Sequence, residues 1–135
     1  MIITPEAAKA LIVSLEFDHA PESEICITGS IVLGTTKGKP AQDLDFICNL
    51  ADFSHIQYSW REIPHPTYTC KSFKKEILPG IVANAIVAHS RGEFQSWVIA
   101  TEAVKSLQVV EWEAKKDRIR AFSTVLNAAK KVLCP

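Results

Sequence analysis

Two short stretches carry residue types that could do chemistry together. Gly29-Ser30 follows the apolar run Ile25-Cys26-Ile27-Thr28. Asp43-Leu44-Asp45 opens a second apolar run through Phe46, Ile47 and Cys48. Side chains alternate between the faces of a strand, so Asp43 and Asp45 point the same way. Two neighbouring carboxylates withdrawn from water repel each other, and something positive must compensate them. Mg2+ (or Mn2+) fits that need, because magnesium takes oxygen ligands and is usually held by one or two carboxylates plus phosphates. Two such ions about 4 Å apart stabilise the attacking and leaving oxygens of a phosphoryl displacement. Glycine at position 29 lets the backbone approach a phosphate closely. A short helix starting after Ser30 would turn free N–H groups toward a triphosphate, and the Ser30 hydroxyl could add a hydrogen bond.

The elements that must position these residues can be read from the spacing. Thr4-Pro5 is a helix start, an N-cap followed by proline at the first helical position. Ala8, Leu11, Ile12 and Leu15 then recur at helical spacing, and the helix should end near Asp18. Residues 24–28 form a first strand and residues 43–49 a second. Residues 34–42 between them, rich in glycine, proline and lysine, read as loop. A short helix is expected near 51–58, before Pro64 and Pro66 break regular structure. Residues 68–73 form a third strand, and 81–88, IVANAIVA, a fourth that is apolar enough to be central. Ser90-Arg91-Gly92-Glu93 matches a capping box. Phe94, Trp97, Val98, Thr101, Val104 and Leu107 give one face of the helix that follows. Ile119, Phe122, Val125, Leu126, Ala129, Val132 and Leu133 give a last helix. The expectation is an α+β fold: about four strands in a mixed sheet, packed by an N-terminal helix and two C-terminal helices. The 135 residues make a single domain, 1–135, large enough to hold its own core.

The order strand, Gly-Ser, loop, strand with Asp-x-Asp resembles the signature of the DNA polymerase β-like nucleotidyltransferase superfamily. That signature is hydrophobic-Gly-(Gly/Ser), a variable loop, then Asp-hydrophobic-(Asp/Glu)-hydrophobic. The matching residues are Ile27-Thr28-Gly29-Ser30 and Asp43-Leu44-Asp45-Phe46; Thr28 departs from it, since an apolar residue is commoner before the glycine. The motif covers residues 25–48, and the order of helix and strands extends the similarity along most of the chain. The resemblance implies a nucleotidyltransferase-like fold and transfer of a nucleotide from a nucleoside triphosphate, with release of pyrophosphate. Asp43 and Asp45 would then carry the metal, and Gly29 and Ser30 the triphosphate. The acceptor could be RNA, a protein hydroxyl or a small molecule. Residues 97–122 are also similar to small nucleotidyltransferase-like proteins of bacteriophages and prophages, although helical periodicity explains most of that likeness.

Active members of the superfamily usually carry a third carboxylate on a later strand. The expected strand, residues 81–88, holds no Asp or Glu, and its one polar residue is Asn84. An asparagine carbonyl can ligate a metal, but it cannot serve as a general base. Asn84 is either a site residue or a hydrogen-bonded core polar group. Glu76 and Glu93 are poor substitutes, the latter being explained by the capping box. The gap motivates a second reading, a catalytically degenerate nucleotidyltransferase-like module that acts through protein contacts.

Other residues weigh less. Lys37 and Lys39, between the motif halves, could contact phosphates or be solvated loop charges. His89, just past the fourth strand, is the one histidine to check near the site. The run 115–120, KKDRIR, is either the polar face of a helix or a docking site for RNA backbone or an acidic partner. Trp60 and Trp112 fall in loop-like stretches and could be surface contacts. Lys+Arg and Asp+Glu both number 15, so a generally cationic nucleic-acid binder is excluded. The charge is nonetheless divided, −4 over residues 1–36 and +4 over the rest. No apolar run approaches the ~20 residues of a membrane span, and the first residues lack the basic start of a secretory signal. Cys26, Cys48, Cys70 and Cys134 have no C-x-x-C spacing; the expectation is reduced, mostly buried thiols in the cytoplasm, with a zinc site from scattered Cys and His as its rival. The short chain has no second domain to hold a large acceptor, which favours a partner protein or a second copy of the chain.

Overall fold

Thr4 accepts a hydrogen bond from the Ala7 amide (3.1 Å), and Pro5 opens the first helix, α1, Pro5–Glu16. The computed structural model describes residues 3–41, 43–64 and 70–134. Helix α1 stops two residues short of Asp18. Phe17 turns inward instead, fully buried, and meets the ring of Phe46 edge-on at 6.2 Å. Strand β1 (Ile25–Thr28) leads through Gly29 into the one-turn helix α2 (Ser30–Leu33), the short helix expected after Ser30. Strand β3 (Asp43–Asn49) and the four-residue helix α3 (Leu50–Phe53) follow a two-residue strand, β2 (Thr35–Thr36). The expected helix over 51–58 is thus split into α3 and a single 3-10 turn at Gln57–Ser59.

Among the described residues the main sheet has five strands rather than about four. The additional strand is β4 (Arg61–Ile63), paired antiparallel with β5 (Lys71–Leu78) at the sheet edge. Strand β5 replaces the strand expected over 68–73, of which Tyr68 and Thr69 lie outside the described residues. Strand β6 (Ile81–Ala88) lies where the sequence placed it, in the centre of the order β1-β3-β6-β5-β4. It runs parallel to β3 and antiparallel to β5, which makes the sheet mixed. Ser90 caps α4 (Arg91–Lys105) by accepting from the Glu93 amide (3.1 Å). Strand β7 (Glu111–Trp112) and the long α5 (Lys115–Leu133) complete the chain. The stretch 34–42 is not all loop: β2 pairs with β7 in a parallel two-stranded ribbon.

Each face of the sheet carries a core layer. Leu44, Phe46, Cys48, Ala83, Ala85 and Phe73 pack beneath α1 with Phe17, Phe53 and Trp60. Ile47, Ile86 and Ala88, on the opposite face, pack beneath α4 and α5 with Trp97, Phe122 and Leu126. Trp60 is therefore a core residue and not a surface contact; its ring lies 5.5 Å from that of Phe53 and 5.9 Å from that of Phe46. Trp112 is half-buried, and its indole N–H donates to the Leu33 carbonyl (2.7 Å). Among the described residues, no helix is long and apolar enough to cross a membrane.

Candidate functional site

The strand registers place one polar row across all five strands. Thr28 pairs with Asp45, Asp45 with Asn84, Asn84 with Lys74, and Lys74 with Arg61. Directly opposed residues share a face, so this row lies on the side covered by α4 and α5. The next row outward begins with Asp43, opposite Val82 and then Glu76. The two aspartates thus stand side by side, as their spacing requires.

One nitrogen binds both of them. The Asn84 side-chain amide donates to Asp45 Oδ1 (2.7 Å) and Asp43 Oδ2 (3.0 Å). The Lys74 ammonium lies 3.5 Å from the same Asp43 oxygen. The Asn84 carbonyl oxygen is buried and has no hydrogen-bond partner among the described residues. Burial raises the Asp45 carboxyl from its ordinary 3.8 to about 6, and the like charge of Asp43 adds to the rise. The Asn84 hydrogen bond and the charges of Arg118 and Lys115 pull the other way without cancelling it. Asp45 is therefore a buried carboxyl short of positive charge.

Gly29 is fitted to this pair. Its φ is +73°, and a Cβ there would overlap Asp45 Oδ2. Only glycine satisfies both the left-handed backbone and the close approach. The first intrahelical bonds of α2 run from Val32 and Leu33 back to the Gly29 carbonyl (3.1 and 2.8 Å), so the amides of Ser30 and Ile31 stand ahead of that ladder. The far end of α2 is fixed by three contacts. A Cβ at Gly34 would overlap the Val109 carbonyl, Trp112 holds the Leu33 carbonyl, and Arg118 donates to the Gly34 carbonyl (2.9 Å).

A cavity of about 330 Å³ opens beside Asp45, with Thr28, Gly29, Asn84 and Ser72 among its polar lining residues. Lys115 and Arg118, at the start of α5, line it as well. Lys74 and Ser72 were not singled out from sequence, and Lys115 and Arg118 were read only as part of the run 115–120, a helix's polar face or a docking site for RNA backbone or an acidic partner. The alternation in KSFKKEIL sets Ser72, Lys74 and Glu76 on one face, but nothing local reveals that this face abuts Asn84.

The remaining sequence candidates divide. Asn84 lies between the aspartates and Lys74, in the site. Lys37 and Lys39 are exposed on the β2 turn; Lys37 Nζ lies 3.7 Å from Glu113. His89 is exposed past the opposite end of β6, five residues and so ~17 Å along the strand from Asn84. Glu76 is exposed, two strands away from Asp43. Glu93 serves the start of α4, its carboxylate accepting from the His89 amide (2.7 Å). Among the described residues, no three His, Cys, Asp or Glu side chains gather as metal ligands.

Comparison with known protein families, curated proteins and solved structures gave no match. The fold and the site define an α+β domain with a mixed five-stranded sheet. An aspartate pair stands on one sheet face, and Asp45 of that pair lines a cavity.

Proposed function

We propose that this protein is a nucleotidyltransferase-type domain that binds a nucleoside triphosphate with a divalent cation and passes the nucleotide to an acceptor. The observation that carries the reading is the convergence of Asp43 Oδ2 and Asp45 Oδ1 on one donor point, with Gly29 in contact with Asp45. The donor set suits Mg2+ or Mn2+: two carboxylate oxygens held close together on one sheet face. Asp43 and Asp45 would hold the cation. Bound there, the cation would supply charge compensation at the phosphoryl oxygens. Gly29 keeps the backbone of the α2 turn close to the carboxylates. Lys115 and Arg118 bring positive charge to the cavity wall.

Asn84 itself favours a second reading. It donates to both carboxylates and cannot accept a proton from an acceptor hydroxyl. With Lys74, it lets the chain supply part of the compensation that a metal would give. A module that keeps this architecture but acts through protein contacts has the same features.

Thermal unfolding with ATP, GTP, CTP and UTP, each with and without Mg2+, separates the readings. A ligand at 100 times its dissociation constant adds ~2.7 kcal/mol, which is several degrees for a domain of this size. The transferase reading expects a magnesium-dependent rise with at least one nucleotide, absent in Asp43→Asn/Asp45→Asn. No rise with any of the four moves the weight to the binding module.

A further inference from the structure

One row inward from Asp45 and Asn84, the sheet face is apolar except at one point, and Ile86, Ser72 and Ile63 of that row line the cavity. Cys26, Ile47, Ile86, Ser72 and Ile63 face one another across the five strands. Ser72 is 2% exposed, and its hydroxyl has no hydrogen-bond partner among the described residues. A buried hydroxyl without a partner is costly, and natural cores rarely keep one. Ser72 lines the cavity, as does Asn84, whose carbonyl oxygen is also unpartnered. The rest of this end is apolar: Ile86 below, with the rings of Trp97 and Phe122 beside it, 5.0 Å apart and tilted 53° to each other. The exposed Lys115 and Pro64 also line the cavity, so it opens to solvent between α5 and the end of β4.

We infer that this cavity receives the base of a nucleotide, with the Ser72 hydroxyl and the Asn84 carbonyl hydrogen-bonding the edge of the ring. The inference rests on the nucleotide reading above and adds to it the part of the ligand that the aspartates do not touch. A flat heteroaromatic ring matches apolar walls with a few polar points at one end. The ring edge supplies both donors and acceptors. A hydroxyl can pair with either, and an amide oxygen needs a donor. The polar row of Asp45 and Asn84 forms one side of the cavity, so a ring seated over Ser72 leaves its sugar and phosphates directed toward the aspartates and the cations of α5. A metal-bound phosphate chain alone would leave the Ser72 end empty.

Isothermal titration calorimetry with three probes tests this: Mg-tripolyphosphate, the four Mg-nucleoside triphosphates and the four free nucleosides. At least one nucleoside triphosphate should bind about tenfold or more tighter than tripolyphosphate, and its nucleoside should bind without magnesium. Ser72→Ala removes an unpartnered group, so it should fold at least as stably as the parent by thermal unfolding. It should weaken the nucleoside triphosphate about tenfold and leave tripolyphosphate unchanged. Ligand entry should also change Trp97 emission, a change absent in Trp97→Phe. If tripolyphosphate binds and no triphosphate binds tighter, the base pocket is wrong and the phosphate site stands. Equal binding of the triphosphate by Ser72→Ala and parent, or equal losses for both probes, also overturns the pocket. If a nucleoside binds but tripolyphosphate does not, the pocket holds and the transfer reading fails. If nothing binds, both fall.

Discussion

At the scale of single residues, Asp45 gives the sharpest expectation. Its carboxyl titrates near 6 in the fold and near 3.8 when unfolded, so the native state holds the proton more tightly. Stability then falls as pH rises from about 4 to about 6, because the native state binds more protons than the unfolded chain across that window. Above it, the ionised group bears its full desolvation penalty. Asp45→Asn keeps an oxygen for the Asn84 amide and removes the charge. It should raise stability at pH 7–8 by roughly 1–3 kcal/mol and flatten the slope between pH 4 and 6, both read from urea unfolding across pH. An unchanged slope would mean that the carboxyl is solvated in solution. Gly29 predicts the opposite sign. Gly29→Ala must accept a left-handed backbone, ~1–2 kcal/mol, and displace the Asp45 carboxylate. A loss of more than about 2 kcal/mol is expected, partly relieved by Asp45→Ala in a double-mutant cycle. The pairing of Gly29-Ser30 with Asp43-x-Asp45 was legible because two-residue periodicity and a glycine at a strand end are local signals. Lys74 and Ser72 were not, because their place beside Asn84 depends on register between strands.

Elements were legible where they are long or capped. Helices α1 and α4 announce themselves through Thr4-Pro5 and Ser90-x-x-Glu93, and β6 through an unbroken apolar run. Strand β4 was missed because three residues, two of them exposed charges, have no usable period, and charge on an edge strand is normal. The β2–β7 ribbon was missed for another reason. Two residues pair with two others some 75 positions away, and no local pattern encodes that. The ribbon has a consequence for the site, since it anchors α2 from behind. Trp112→Phe keeps an aromatic ring, smaller than the indole, and removes the bond to the Leu33 carbonyl, which alone should cost about 1 kcal/mol. The loss should be confined to one region. The amides of Thr35 and Lys37, bonded to the carbonyls of Val110 and Trp112, should lose hydrogen-exchange protection while those of β6 keep theirs. Equal loss in both places would show that the ribbon has no stability of its own apart from the sheet.

For the molecule as a whole, the divided charge seen in the sequence is partly resolved inside the fold. Glu16 meets Lys75 at 2.7 Å, and Glu24 meets Arg91 at 3.0 Å, so the acidic first segment is held by cations from later strands and helices. The first of these pairs is largely buried, at the junction of α1 with β5, and links the N-terminal helix to the sheet. Whether the two core layers also open together can be tested with the four thiols. Cys48 lies in the layer beneath α1 and Cys70 in the layer beneath α4 and α5. Burial pushes the Cys48 thiol far above its usual range and Cys70 up to about 12. Neither can react as a thiolate in the native state near pH 8. Cys134 and Cys26 are half-buried, and burial also raises Cys26. A disulfide reagent should therefore modify Cys134 first and Cys26 more slowly. Cys48 and Cys70 should follow at one shared rate, set by global unfolding. A shared rate that rises with denaturant, as the rate of global unfolding does, is the signature of one cooperative unit built on one sheet. If Cys70 reacts well before Cys48, α4 and α5 lift off while the α1 layer stays closed. The cavity would then open by helix movement, because its wall is α5.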